Sequence, residues 1–141
     1  MGELQCRIVC PDKYIHEGRV ASIILHTPKS ELGLFPRHGP AIYMLGTGVA
    51  RLNMLPKDGG GCYRIFISGG YAEVKEDLVL VLADYACDLD DIDTLYIDQR
   101  KKEHLRHMEQ FDVEDPRYEY YANKVRLCDN LLKNAANINI T

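Results

Sequence analysis

The sequence lacks several features that mark common protein classes. It has no tryptophan. It also has no basic excess, because its 141 residues include 17 Lys and Arg but 21 Asp and Glu. A nucleic-acid surface needs a basic excess on one face, so this class of function is excluded. No apolar run approaches the roughly 20 residues that a membrane-spanning helix needs. The N-terminus is typical neither of a signal peptide nor of a transit sequence, and we expect a cytoplasm-like compartment.

The five cysteines lack the spacing of a metal or redox site. No two of them form the Cys-x-x-Cys pair that zinc and thioredoxin-like sites use. Cys6 and Cys10 fall on the same face of a predicted strand. In a reducing compartment, we expect buried thiols that pack as small apolar side chains, without a structural disulfide.

The first 86 residues have the pattern of a β-rich domain. Residues 4–10 alternate between an apolar and a polar side, as a half-buried strand does. Residues 56–61 predict a hairpin turn, and Gly69-Gly70 predicts a bend or a bulge. We count eight to ten short strands with no helical segment between them. Such short connections predict an antiparallel β-sandwich or flattened barrel over residues 1–86.

The apolar period changes after residue 86, and residues 87–141 predict an antiparallel α-helical hairpin, which makes the fold class α+β. All of the acidic excess lies in this part. Asp115 and Pro116 suit the N-cap and the first position of the second helix. A second apolar stripe on that helix, Tyr120 with Leu127 and Leu131, needs the sandwich or a partner to cover it. We expect residues 137–141 to fray.

The segment from Glu31 to Pro40 is too apolar for a solvated loop, and glycine and proline interrupt it. It predicts a tight, partly exposed loop between two strands that carries Leu34 and Phe35. Two interpretations are open: the loop contacts another molecule, or it packs as a hydrophobic turn on its own sheet. Local chemistry alone favours the packed turn.

No group of residues completes a catalytic, phosphate or metal site. The glycines at 59–61 are not followed by the Lys of a P-loop, and Ser68-Gly69-Gly70 precedes a strand where a phosphate site needs a helix. His104 and His107 lie three residues apart, but a third ligand is missing and basic neighbours surround them. We therefore expect a solvated helix face and no metal.

An enzyme centred on His38 is the catalytic alternative. Glu31 or Asp84 would have to orient its imidazole, and the sequence supplies no clear nucleophile beside it. We therefore expect no active site, no cofactor and no small-molecule substrate.

Motifs in the right order and spacing resemble a known family. Residues 31–40 resemble the E-x-G-x-x-P-x-H-x-P loop of the epsilon subunit of F-type ATP synthase, which is called delta in mitochondria. Residues 68–74 resemble its Gly-Gly hairpin, and residues 80–84 resemble the strand that follows. Asp91-Ile92-Asp93 resembles the acidic start of its first C-terminal helix. The resemblance is close up to Asp93 and rests on pattern beyond it.

The resemblance implies a mechanical role without an active site. Members of the family are rotor subunits of the proton-translocating enzyme, at the foot of the central stalk. They bind the gamma subunit and the ring of c subunits, and they pass rotation to the alpha/beta catalytic head. The family implies a peripheral position at the cytoplasmic face of the plasma (inner) membrane. The segment that faces the c ring corresponds to Glu31, Leu32, Gly33, Leu34, Phe35, Pro36, Arg37 and His38.

The resemblance also gives the helical hairpin a role. In many members it moves between a compact form on the sandwich and an extended form along gamma, and the extended form inhibits ATP hydrolysis. The candidate contacts with gamma or with the catalytic head are Arg100, Lys101, Lys102, Tyr120, Lys124, Arg126, Leu127 and Leu131.

Nucleotide binding by this chain is expected to be weak or absent. Some members bind ATP through an Ile/Leu-Asp-x-x-Arg-Ala segment at the start of the first helix. Ile92 and Asp93 match its beginning, but Tyr96 stands where the arginine would meet phosphate charge.

A different class of function fits the same architecture. The chain could be a free-standing β-sandwich that binds proteins, with a helical hairpin that dimerises. Copurification with gamma distinguishes it from the stalk subunit.

Overall fold

The computed structural model describes residues 2–138, with side-chain burial up to residue 135. The chain divides into two compact units, one ending at Asp90 and one beginning at Asp91. We expected the division after residue 86. The last strand runs to Asp88, and a short 3-10 helix, Leu89–Asp91, spans the boundary between the units. Residues 139–141, part of the tail expected to fray, lie outside the described residues.

The described residues of the first unit form seven strands, fewer than the eight to ten that we expected. The apolar pattern ended one short strand at Gly46-Thr47-Gly48 and placed a bend or a bulge at Gly69-Gly70, but both positions lie inside long strands. Residues 31–34 of the expected loop form a short strand. The strands are β1 (Leu4–Cys10), β2 (Lys13–Val20), β3 (Ser22–His26), β4 (Glu31–Leu34), β5 (Ala41–Asn53), β6 (Cys62–Lys75) and β7 (Leu78–Asp88).

The strands are hydrogen-bonded in the order β2-β1-β7-β6-β5-β3-β4. All neighbours are antiparallel except β1 and β7, which pair in parallel and so correct the expectation of an all-antiparallel sheet. Among the described strands, β2 and β4 each have one neighbour, so the sheet does not close into a barrel. It folds over one apolar core as a β-sandwich.

Alternation along the strands builds this core. In β1, the residues Leu4, Cys6, Ile8 and Cys10 are buried, as their spacing predicts. They pack with alternate residues of the long central strands, including Ala72 and Val81. Burial raises the pKa of the Cys6 thiol to about 12, so this thiol stays protonated and packs as an apolar group.

The predicted bend at Gly69-Gly70 is present, and it is not a bulge. The register between β6 and its two neighbours is the same on both sides of Gly69. Gly69 and Gly70 have φ of 74° and 117°, a region that favours glycine. A Cβ on Gly69 would lie 2.5 Å from Asp84 Oδ2, at the end of a side chain, whereas a Cβ on Gly70 would overlap the backbone carbonyl oxygen of Leu82.

The second unit is a pair of packed helices, α1 (Thr94–Glu109) and α2 (Pro116–Ile138). Asp93 caps α1, because its side chain accepts hydrogen bonds from the N–H groups of Leu95 and Tyr96. Asp115 Oδ1 accepts from Arg117 N at 2.9 Å, which confirms the predicted start of α2. Lys101 Nζ lies 2.6 Å from Asp129 Oδ1 and joins the two helices.

Candidate partner-binding surfaces

The segment predicted to face a partner is half strand and half loop. Its first residues form β4, an edge strand paired with β3. Leu34 is fully buried in the core, which corrects the expectation that it is exposed with Phe35. Phe35 is 58% exposed. Of the two apolar side chains, Phe35 alone is therefore available to a partner.

The loop after Phe35 is fixed at two points. Arg37 N donates a hydrogen bond to Asp77 Oδ1 at 2.7 Å. His38 Nε2 lies 3.1 Å from the hydroxyl of Tyr43, and its Nδ1 lies 2.7 Å from the carbonyl oxygen of Gly39. The loop is therefore an ordered surface with its aromatic residue exposed.

These contacts do not form the catalytic group of the alternative interpretation. The Glu31 carboxylate pairs with Arg51, at 3.2 Å from its Nη2. The hydrogen bonds of His38 within the described residues go to a phenol and a backbone carbonyl, and no carboxylate orients the ring. Asp84 lies beside Gly69 at the bend of the sheet. The three residues thus have separate structural partners.

A second surface, which the sequence analysis missed, covers one face of the sheet. Five apolar residues, one from each of five neighbouring strands, lie side by side on this face. The side chains of four of these five residues are 53–64% exposed. We call them the apolar row: Met44, Tyr71, Leu82, Val9 and Tyr14. A soluble sheet usually places polar residues on its outer face, so an exposed apolar row indicates a binding surface.

The signal for the apolar row was present in the sequence. Residues 78–83 of β7 are apolar throughout, whereas a half-buried strand alternates with polar residues. The sequence analysis did not single out this run. Leu82 lies on the outer face, so the excess of apolar residues marks a surface.

The basic residues proposed for the hairpin are engaged within the hairpin. Arg100 pairs with Glu103, Lys101 with Asp129, Lys102 with Asp98 and Arg126 with Glu119. Lys124 Nζ lies 5.4 Å from the centroid of the Tyr120 ring. An acidic partner would therefore have to compete with these contacts. Most of them are exposed, and exposed pairs are weak, at about 0–1 kcal/mol.

The second apolar stripe of α2 does not form one exposed face. Leu131 is 2% exposed and belongs to the buried part of the hairpin. Leu127 is half-buried, and Tyr120 is 56% exposed. Of these three residues, only Tyr120 presents most of its surface.

The degenerate nucleotide segment has a structural role in α1. Both acceptor contacts of Asp93 Oδ1 go to N–H groups of the first turn, at 3.1 and 3.2 Å. Ile92 precedes this cap and is half-buried. Capping of α1 therefore accounts for Asp93 at this position without a bound nucleotide. The weak or absent ATP binding that we expect stays a prediction.

Two other expectations need correction. His104 is half-buried, with its ring 6.2 Å from that of Tyr121 on α2, so it is not simply solvated. His107 is exposed as expected, and its ring lies 5.1 Å from the same tyrosine ring. Among the cysteines, Cys62 is exposed and Cys87 is half-buried, while the other three are buried thiols as expected. Within residues 2–138, no three His, Cys, Asp or Glu side chains lie close enough together to hold a metal.

Comparison with known proteins decides the family. The model of the beta-sandwich domain of the ATP synthase delta/epsilon chain matches residues 3–88. The chain belongs to the ATP synthase delta/epsilon family. The epsilon chain of Neisseria meningitidis serogroup A is 33% identical over 102 residues, which cover 72% of this chain and 71% of that one. The epsilon chain of Alkalihalophilus pseudofirmus is 34% identical over 86 residues, which cover 61% of this chain and 62% of that one.

Chains of two solved structures share the fold. A chain of the Euglena gracilis mitochondrial ATP synthase, OSCP/F1/c-ring, superposes with a TM-score of 0.64 at 19% identity, over 98% of this chain and 80% of that one. A chain of the Tetrahymena thermophila mitochondrial ATP synthase, central stalk/c-ring, gives 0.59 at 15% identity, over 93% and 97%. The family inferred from the motifs and the α+β fold inferred from the apolar pattern are confirmed. None of the described helices is long and apolar enough to cross a membrane.

Proposed function

We propose that this chain is the central-stalk subunit of a proton-translocating ATP synthase and acts without an active site of its own. It binds gamma, rests on the c ring and couples ion flow to ATP synthesis in the alpha/beta head. Family membership supports the complex, and the apolar row supports the mode of action. A protein that works by binding needs exposed apolar surface, and the sandwich provides it.

The two surfaces of the sandwich fit two partners. The apolar row spans five strands, a wide face suited to the elongated gamma subunit. The loop with Phe35 is small and lies next to the turn between β6 and β7, where Asp77 holds it. We assign the row to gamma and the loop to the c ring. Pro40, at the end of the loop, and Ile42, on the face of β5 that carries Met44, line one shallow groove of about 290 Å³. The end of the loop therefore adjoins the face of the sheet that carries the apolar row.

The location and the contacts with the head are part of the same proposal. A subunit that binds the c ring from the side of the catalytic head is peripheral, at the cytoplasmic face of the plasma (inner) membrane. The helical hairpin contacts gamma or the head through its basic face after exchanging its internal ion pairs, and in its extended form it inhibits ATP hydrolysis.

Substitution of Leu82 by Glu tests the apolar row. Leu82 is more than half exposed, so the free energy of unfolding changes by less than about 1 kcal/mol. The new carboxylate would be buried unpaired against gamma, so binding to purified gamma weakens at least about tenfold. Isothermal titration of both variants measures the binding.

Val113→Glu is the matched control, because Val113 is 75% exposed in the other unit. It also replaces an exposed apolar residue by Glu, but outside the row and outside the hairpin residues assigned to gamma or the head, so it leaves gamma binding unchanged. Equal affinity of Leu82→Glu and the wild type for gamma contradicts the assignment of the row. A wild-type homodimer with no affinity for gamma supports the free-standing binding module instead.

A further inference from the structure

The exposed loop contains a backbone conformation that its sequence disfavours. Arg37 has a φ of 69°, in the left-handed region where glycine is preferred and a long side chain is disfavoured. The loop therefore needs an interaction that holds Arg37 in this conformation.

Asp77 supplies that interaction from a distant part of the sequence. Its Oδ1 accepts the hydrogen bond from Arg37 N at 2.7 Å, and a charged acceptor makes this bond stronger than a neutral one. The carbonyl oxygen of Asp77 accepts from Gln5 N at 2.8 Å. The acceptor is thus tied to β1, and the loop is tied through it to the sheet.

Phe35 lies between two fixed points. Leu34, the residue before it, is fully buried in the core. Arg37, two residues after it, is held by Asp77. With both ends fixed, the exposed ring of Phe35 has little freedom to leave its position.

We propose that Asp77 is a positioning residue that presents Phe35 to the c ring before contact. This inference rests on the proposed function of the loop. Without the carboxylate, Arg37 leaves the left-handed region for part of the time, and the binding-competent loop is only fractionally populated. The apparent affinity falls by that fraction, because ordering the loop then costs free energy at the moment of binding.

The choice of variants follows from the turn that carries Asp77. Asp77 and its neighbour Glu76 have φ of 61° and 52°, so alanine at 77 would strain the turn as well as remove the acceptor. Asp77→Gly removes the carboxylate and suits the turn. Asp77→Asn keeps an acceptor oxygen and tolerates the left-handed region. Arg37→Gly allows the same left-handed conformation without its energetic cost.

The affinity of the full chain for a purified gamma–c-ring subcomplex in detergent tests the proposal. We expect Asp77→Gly to bind about fivefold more weakly and Asp77→Asn to lose less than about twofold. In the Arg37→Gly background, we expect Asp77→Gly to cause little further loss, because glycine needs no support there. Hydrogen exchange at the Arg37 amide should be faster in Asp77→Gly, with an unchanged Tm of the sandwich.

Phe35→Ala separates this inference from the proposed function. If Phe35→Ala binds the subcomplex as tightly as the wild type, the assignment of the loop to the c ring is wrong. If Phe35→Ala binds weakly but Asp77→Gly binds normally, the positioning role is wrong. An equal loss from Asp77→Gly in the wild-type and Arg37→Gly backgrounds also overturns it.

Discussion

Single residues decide where the sheet of the sandwich can bend. Gly70 has a φ of 117°, and a Cβ added to it would overlap the carbonyl oxygen of Leu82 on β7. Neither atom can move without breaking the pairing of β6 with β7. Gly39 contrasts with it, because a Cβ there would meet no atom within 4 Å.

Gly70→Ala should therefore destabilise the sandwich by about 3 kcal/mol, from backbone strain and overlap together. Gly39→Ala, the control, should stay within about 0.5 kcal/mol of the wild type. Urea denaturation of the full chain measures both. A Gly70→Ala protein as stable as the control would show that the two strands can separate at the bend without cost.

At the scale of elements, the interface of the hairpin contains a histidine in an unfavourable place for charge. Burial lowers the pKa of His104, and the cations Arg100 and Lys124 lower it further. Its Nδ1 is buried without a hydrogen-bond partner among the described residues. The neutral form is therefore the one that packs against Tyr121.

The hairpin should lose stability as pH falls. Because the pKa of His104 is lower in the folded chain than the ordinary value of 6.5, the unfolded chain binds more protons as pH falls through that value. Denaturation followed by far-UV circular dichroism at about pH 7.5 and about pH 5.5 should show a smaller loss in His104→Gln than in the wild type. Identical losses in the two proteins would rule out this role of His104.

Local signals predicted the elements better than the long-range signals did. The cap and proline at Asp115 and Pro116 start α2 as predicted, because both act within one turn of the helix. The glycines inside β5 and β6 led us to divide each long strand into two short ones. Glycine occurs both at a bend within a strand and at the break between two strands, so the residue type alone does not distinguish them. The parallel pairing of β1 with β7 joins the two ends of the domain, and no local pattern encodes it.

The candidate surfaces were predictable in part. The family motif identified the loop with Phe35, but burial of Leu34 depends on its pairing in β4, which the apolar pattern does not show. The apolar row needs the register of five strands before its members can be seen to share a face. The internal ion pair of Lys101 could not be predicted locally, because its partner Asp129 is distant in sequence.

At the scale of the whole molecule, the two units are expected to have separable roles. The sandwich holds its own core and both candidate surfaces, and the helical unit begins at Asp91. A chain that ends at Asp90 should therefore still bind gamma through the apolar row. If the hairpin inhibits, an ATP synthase assembled with the short chain hydrolyses ATP faster than one assembled with the full chain. Equal hydrolysis rates, at equal occupancy of the subunit, would contradict an inhibitory hairpin.

The most direct test of the central claim is ATP synthesis driven by an imposed proton gradient. Vesicles would contain the cognate ATP synthase depleted of this subunit, with wild-type chain or Leu82→Glu added back at matched concentration. The account predicts that the wild-type chain restores synthesis and that Leu82→Glu restores it only at higher concentration. Synthesis that is equally fast with and without the chain would contradict a coupling role through surface contacts.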